Sequence, residues 1–114
     1  MPGKTLFDKI WDQHVVSSIE NGPDVLYIDR HFIHEVTSPQ AFNGLSQRGI
    51  GVARPKQTIA TADHNVPTAN QHLPIQEALS RTQVNKLTVN CASFGVELYG
   101  LGHPYQGIVH VIGP

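Results

Sequence analysis

Four short apolar runs recur along the chain: Val25-Leu26-Tyr27-Ile28, Thr58-Ile59-Ala60-Thr61-Ala62, Val96-Glu97-Leu98-Tyr99 and Ile108-Val109-His110-Val111-Ile112. Segments with helical spacing alternate with them. The runs are close to continuously apolar and β-prone, whereas a half-solvated strand alternates apolar with polar residues. That is the pattern of a largely parallel sheet covered on both faces, in which each strand is followed by a crossover helix. The expected fold class is therefore α/β.

Punctuation between the runs supports the same order. Thr5 is placed to cap a first helix carrying Leu6, Ile10 and Trp11 at helical spacing. Asn21-Gly22-Pro23-Asp24 is a turn cluster that leads into the first apolar run, read as a buried strand. Ser38-Pro39 marks a second helix start, with Ser38 as cap and Pro39 where its missing N–H costs nothing. Ala41, Phe42 and Leu45 would be its inner face, and Gly49 and Gly51 would end it. Residues 74–94 carry the longest helical pattern, with Ile75, Ala78, Leu79, Leu87, Cys91 and Phe94 largely on one side and Gly95 as its stop. The fourth run, residues 108–112, reads as a strand ending at Gly113-Pro114 with no helix after it, the pattern of a polypeptide interrupted in mid-fold.

Length and charge narrow the function classes. The 114 residues make one domain's worth of chain, and 39% hydrophobic residues supply one modest core. Charged residues are 15% against a usual quarter or so, which suits a chain with little free surface of its own. Eight Lys and Arg against nine Asp and Glu remove the electrostatic case for nucleic acid or an anionic membrane. No apolar run is long enough for a signal peptide or a membrane span, so a cytoplasmic location is expected. A single cysteine, Cys91, excludes an internal disulfide, a CxxC zinc site and a cluster ligated by several cysteines of this chain. Cys91 lies on a helix face with Leu87 and Phe94, where a small core residue is expected.

Three polar clusters lie at the ends of apolar elements, where open α/β sheets place their sites. Asp29-Arg30-His31 with His34-Glu35 follows the first run. His31 and His34 suit a shared metal on a helix, but the segment does not read as helix and spacing supplies no third ligand. Asp63-His64-Asn65 ends the second run. A carboxylate beside an imidazole can fix its tautomer for acid–base work, yet neighbours on a strand point apart unless the chain has already turned there. A plain turn with a surface histidine is the competing reading. His110 lies within the last run, and with no partner in view a core histidine is the simpler reading.

Taken together, three long stretches resemble the large subunits of the 3-isopropylmalate dehydratases, within the aconitase superfamily. They are Tyr27-Ile28-Asp29-Arg30-His31 with His34-Glu35-Val36-Thr37-Ser38-Pro39-Gln40-Ala41-Phe42, then Ala62-Asp63-His64-Asn65-Val66-Pro67-Thr68, then residues 106–114. The resemblance runs in register along the whole chain. It implies an aconitase-type α/β/α domain with a mostly parallel sheet, of which residues 1–114 are an incomplete N-terminal part.

The resemblance implies a hydro-lyase of leucine biosynthesis that interconverts 2-isopropylmalate and 3-isopropylmalate through isopropylmaleate. In such enzymes a [4Fe–4S] cluster on three cysteines binds substrate hydroxyl and carboxylate as a Lewis acid. By motif, Asp63 and His64 correspond to a proton-moving pair, His110 to a second active-site histidine, and Gln40 to a ligand of substrate carboxylate. No metal or cluster ligand is expected on this chain, and the fragment alone is expected to be inactive. The implied partners are isopropylmalate, the remainder of the large subunit and a separate small subunit. Homoaconitase or a citramalate-type hydro-lyase, a non-catalytic module that binds the small subunit, and a histidine metal binder using His31 and His34 are the alternatives.

Overall fold

A computed structural model of the chain describes residues 2–113. In chain order the elements are α1 (Leu6–His14), β1 (Val15–Ser18), β2 (Asp24–Leu26), β3 (His31–Ile33) and α2 (Ser38–Arg48). A 3₁₀ turn (Pro55–Gln57), β4 (Thr58–Thr61), α3 (Ala78–Phe94), β5 (Glu97–Tyr99) and α4 (Val109–Ile112) follow.

The N-terminal unit is α1 with an antiparallel β1–β2 hairpin. Thr5 caps α1 reciprocally: its hydroxyl accepts the Asp8 N–H at 3.1 Å, and the Asp8 carboxylate accepts the Thr5 N–H at 2.9 Å. Trp11 stacks on Phe7 and donates its indole N–H to Asp24 at 2.8 Å, tying helix to hairpin. The first apolar run therefore does not become a buried strand of the parallel sheet. Only its first half pairs, with β1, while Val25, Tyr27 and Ile28 stay exposed. Val15 and Val16 supply the β-prone partner that captures it, and the Asn21-Gly22 turn closes the hairpin locally.

The parallel sheet has the order β3-β4-β5, with Ile33, Ala60 and Leu98 in register across it. Both crossovers run in the same direction. With the single hand that such connections adopt, they lay α2 and α3 on one face. The core confirms this placement: Phe42 of α2, Leu87 and Cys91 of α3, Ala60 and Val96 are buried together, with Ile33 and Leu98 packed against them. Gly49 and Gly95 end the two helices in the left-handed conformation, at φ 66° and 71°.

The opposite face, that of Phe32, Ile59 and Thr61, is covered by the chain after β5. The Thr61 hydroxyl lies 2.7 Å from the Gly107 carbonyl and 3.0 Å from that of Tyr99, and Gly113 sits against the Phe32 ring. Residues 109–112 form a short helix here, which corrects the reading of 108–112 as a strand. A five-residue apolar run does not by itself distinguish the two states; a free edge in the right place must do so. α3 is also shorter than its sequence pattern, because Glu77 caps it by accepting the Ser80 N–H at 2.6 Å. Ile75 consequently falls before the helix, and Ala78 and Leu79 at its start are exposed.

The chain has 8424 Å² of accessible surface and a radius of gyration of 17.5 Å. A self-contained domain of this mass would show about 6,200 Å² and about 13 Å. Large apolar side chains are exposed, Leu6, Phe7, Ile28, Leu79 and Val111 among them.

Two expectations follow. Leu87 is fully buried at the centre of the core, so Leu87→Ala lowers unfolding free energy by about 2–5 kcal/mol in urea titration. His14 donates from Nδ1 to the Ile10 carbonyl at 2.6 Å and faces Asp29 at 3.4 Å, and these contacts raise its pKa above the ordinary 6.5. The link from α1 to the Asp29 loop is then complete below pH 6.5 and is lost as pH rises through the raised value. An NMR titration that put His14 below 6.5 would contradict this.

Candidate active site

The site forms where the carboxyl ends of β3 and β4 lie side by side, with His34-Glu35 leaving one strand and Asp63-His64-Asn65 leaving the other. Glu35 has no accessible surface, and an ionised carboxylate without partners there would be costly. It is satisfied by three consecutive backbone donors. Asp63 N–H reaches Oε2 at 2.8 Å, and His64 and Asn65 N–H both reach Oε1 at 2.5 Å. Such a run of amides around one anion is a backbone nest, and charge-assisted bonds of this kind are about twice as strong as neutral ones.

This turn answers the question that the dipeptide alone leaves open. β4 ends at Thr61, so Asp63 and His64 are no longer on a strand and their side chains can converge. Asp63 Oδ2 lies 3.7 Å from His64 Nδ1, within ion-pair range. The Asp63 side chain is 8% exposed and that of His64 is 52% exposed. A shielded carboxylate thus lies beside a half-open imidazole, an arrangement suited to acid–base work. The imidazole of His34 packs on that of His64 with centroids 4.3 Å apart.

The next residue anchors the site to α3. The Asn65 carboxamide donates to Gln83 and accepts from the Ser80 hydroxyl at 3.4 Å. Beyond it, residues 66–77 loop out and enclose a cavity of about 460 Å³ with His64, Asn65, Glu77 and Ser80 in its wall.

The other expected site residues lie apart from this constellation. Gln40 is exposed on the first turn of α2, and His110 is exposed on α4. The reading of His110 as a core histidine is thereby corrected, because the last run is helix and turns this residue outward. Among the described residues, no hydrogen bond, ion pair or ring contact joins Gln40 or His110 to Asp63 and His64. His31 is exposed at the start of β3, and His34 Nδ1 accepts the Val36 N–H at 3.2 Å. Among the described residues, no group of three or more His, Cys, Asp or Glu side chains is arranged to hold a metal.

Glu35 is the residue that sequence reasoning passed over. It stood in the polar cluster after the first apolar run with no role assigned to it. No sequence signal marked it, because His31–Ile33 is not among the apolar runs; only the pairing of β3 with β4 brings His34-Glu35 beside Asp63-His64-Asn65.

A parallel α/β sheet with its ionisable residues gathered beyond the carboxyl ends of the strands is the arrangement from which enzyme sites of this class are built. The chain belongs to the aconitase family: the profile described as aconitase family (aconitate hydratase) matches residues 8–114. Over 112 residues it is 66% identical to the 3-isopropylmalate dehydratase large subunit of Cytophaga hutchinsonii, covering 98% of this chain and 24% of that protein. The protein of the same name from Flavobacterium johnsoniae is 62% identical over 111 residues, covering 97% of this chain and 24% of its own length. That of Bacteroides thetaiotaomicron is 56% identical over 110 residues, covering 96% and 24%. The chain thus spans about a quarter of the length of the curated relatives it matches. No solved structure gives a significant match.

Family membership raises the question of an iron–sulfur cluster, and the donor set here does not fit one. Cys91 is the only cysteine. It faces the core with Phe42 and Leu87, and burial pushes its thiol up to about 11. A cluster ligand must be a thiolate. Cys91 is therefore expected to resist iodoacetamide at pH 8 in the native chain and to react once urea unfolds it. Alkylation of the folded chain at the unfolded rate would contradict this burial.

Proposed function

We propose that residues 1–114 are the N-terminal part of the large-subunit domain of a 3-isopropylmalate dehydratase, and that Asp63 and His64 belong to its proton-transfer machinery. The observation that carries this reading is the Asp63–His64 pair itself, a buried carboxylate behind a half-exposed imidazole on a turn gripped by Glu35. The identity to large subunits of that name supports it along nearly the whole chain.

Dehydration of a 2-hydroxy diacid breaks the C–O bond at one carbon and a C–H bond at its neighbour and releases water; rehydration places the hydroxyl on that neighbour and the proton on the carbon that lost the hydroxyl. Asp63 holds the imidazole with its Nδ1 side inward. His64 then offers Nε2 to the substrate, giving a proton to the departing hydroxyl so that it leaves as water and taking one back when water returns, while the C–H proton passes to a base supplied by the remainder of the enzyme. Gln40 is suited to donate its carboxamide N–H to a substrate carboxylate, and His110 to act as a second histidine. Among the described residues no contact joins either of them to His64, so the remainder of the enzyme would have to complete the arrangement.

The exposed apolar surface fits the same proposal, since a piece of a larger domain leaves its internal faces uncovered. The remainder of the large subunit and a small subunit are the partners this reading requires. Any [4Fe–4S] cluster would have its cysteine ligands outside residues 1–114. A cytoplasmic location goes with the biosynthetic role. Among the described residues, no helix is long and apolar enough to cross a membrane.

A chimera tests the proposal. The 112 matched residues replace the corresponding segment of the Cytophaga hutchinsonii large subunit, which is then assembled with its small subunit and assayed for isopropylmaleate hydration. The chimera is expected to turn over, and His64→Ala within it to lower kcat by about 10²–10⁴. A folded chimera without activity, or a His64→Ala variant at full rate, would sink the assignment.

A further inference from the structure

We propose that His34 and Glu35 form a two-residue positioning device for His64, gripping the backbone of its turn from one side and the face of its ring from the other. The inference rests on the proposed role of His64, and goes beyond it by naming what holds that imidazole in place. His34 and Glu35 directly follow β3, and residues 63–65 follow the adjacent parallel β4. Glu35 is fully buried and His34 only partly so. Glu35 accordingly enters the interior while its neighbour stays at the surface of the site.

The two contacts do different work. Glu35 takes all three N–H groups of Asp63, His64 and Asn65 on its two oxygens, with no accessible surface left. Its carboxylate is the only acceptor these amides have among the described residues, so relaxing the turn leaves the buried Glu35 carboxylate without its donors. The turn in turn sets the Asp63–His64 approach of 3.7 Å.

His34 restrains the ring, whose centroid lies 4.3 Å from its own at an interplanar angle of 34°. Because His34 Nδ1 accepts the Val36 N–H, its ring proton sits on Nε2 and its orientation is set by its own backbone. Neither residue needs to touch substrate. Both limit where His64 Nε2 can be.

Hydrogen exchange on the 114-residue chain tests the grip without any activity. Residues 63–65 lie in no helix or strand, so an unheld turn would exchange like the exposed loop at residues 68–72. The wild-type amides of 63–65 are expected to exchange about tenfold or more slowly than those of that loop. Glu35→Gln, which offers a single acceptor oxygen, is expected to lose that protection while β4 keeps its own. Equal exchange of the two loops in wild type, or undiminished protection in a folded Glu35→Gln, would overturn the proposal.

The ring contact is tested in the chimera. His34→Ala is expected to lower kcat about tenfold with KM within about twofold, and His34→Phe, which keeps an aromatic face, to restore most of it. No change in kcat, or failure of Phe to rescue, would remove His34 from the device. A chimera inactive from the outset would count against the proposed function, leaving the exchange result to decide the role of Glu35.

Discussion

Ala60 and Leu87 belong to one buried cluster with Phe42, Cys91 and Val96, with no accessible surface left on either, and the rest of the chain is arranged around that cluster. Ala60 is the small member of that cluster, at the middle strand of the sheet. Ile33 and Leu98, in register on either side, complete a shallow apolar trough. Once α2 and α3 fill it, the carboxyl ends of the strands point to one end of the unit, where the loops can carry polar residues without disturbing the packing. Fold and site are thus coupled by strand direction: a slip of one residue in β4 would turn Ala60 away from that cluster and misplace Asp63 together.

The second dependence is electrostatic. An ionised group as deeply buried as Glu35 would normally destabilise a small unit, and it is tolerated because three backbone amides converge on it. The arrangement serves both partners, since the same amides would otherwise be left without acceptors in a turn that belongs to neither helix nor strand. A loop running some sixteen residues from β4 to α3 is thereby ordered at its start, where the imidazole sits, and opens only farther out around the cavity.

The N-terminal hairpin stands apart from this logic. Its ties to α1 run through Trp11 and Asp24 and through the backbone between Tyr27 and His14, and none of its large apolar residues is buried. Together with the bare outer residues of α3 and α4, it accounts for a surface larger than a chain of this mass exposes when it is complete in itself. Sparse charge in the sequence pointed the same way, because surfaces meant for water are ordinarily richer in Lys and Glu.

Local chemistry was legible in the residues themselves. The Thr5 cap, the glycine stops at Gly49 and Gly95, strand β4, the core role of Cys91 and the family of the chain all follow from short-range preferences or from unbroken motifs. What depends on pairing was not legible. Val25 to Ile28 and Ile108 to Ile112 are both apolar and β-prone, yet one became half a hairpin and the other a helix, because a strand exists only where a neighbour offers hydrogen bonds. The same reason governs the site. The sequence by itself placed Asp63 beside His64 and left open whether they could cooperate. Only the tertiary structure brought Glu35 from 28 residues away to bend the chain between them, because a backbone turn is held by whatever acceptor the fold delivers to it.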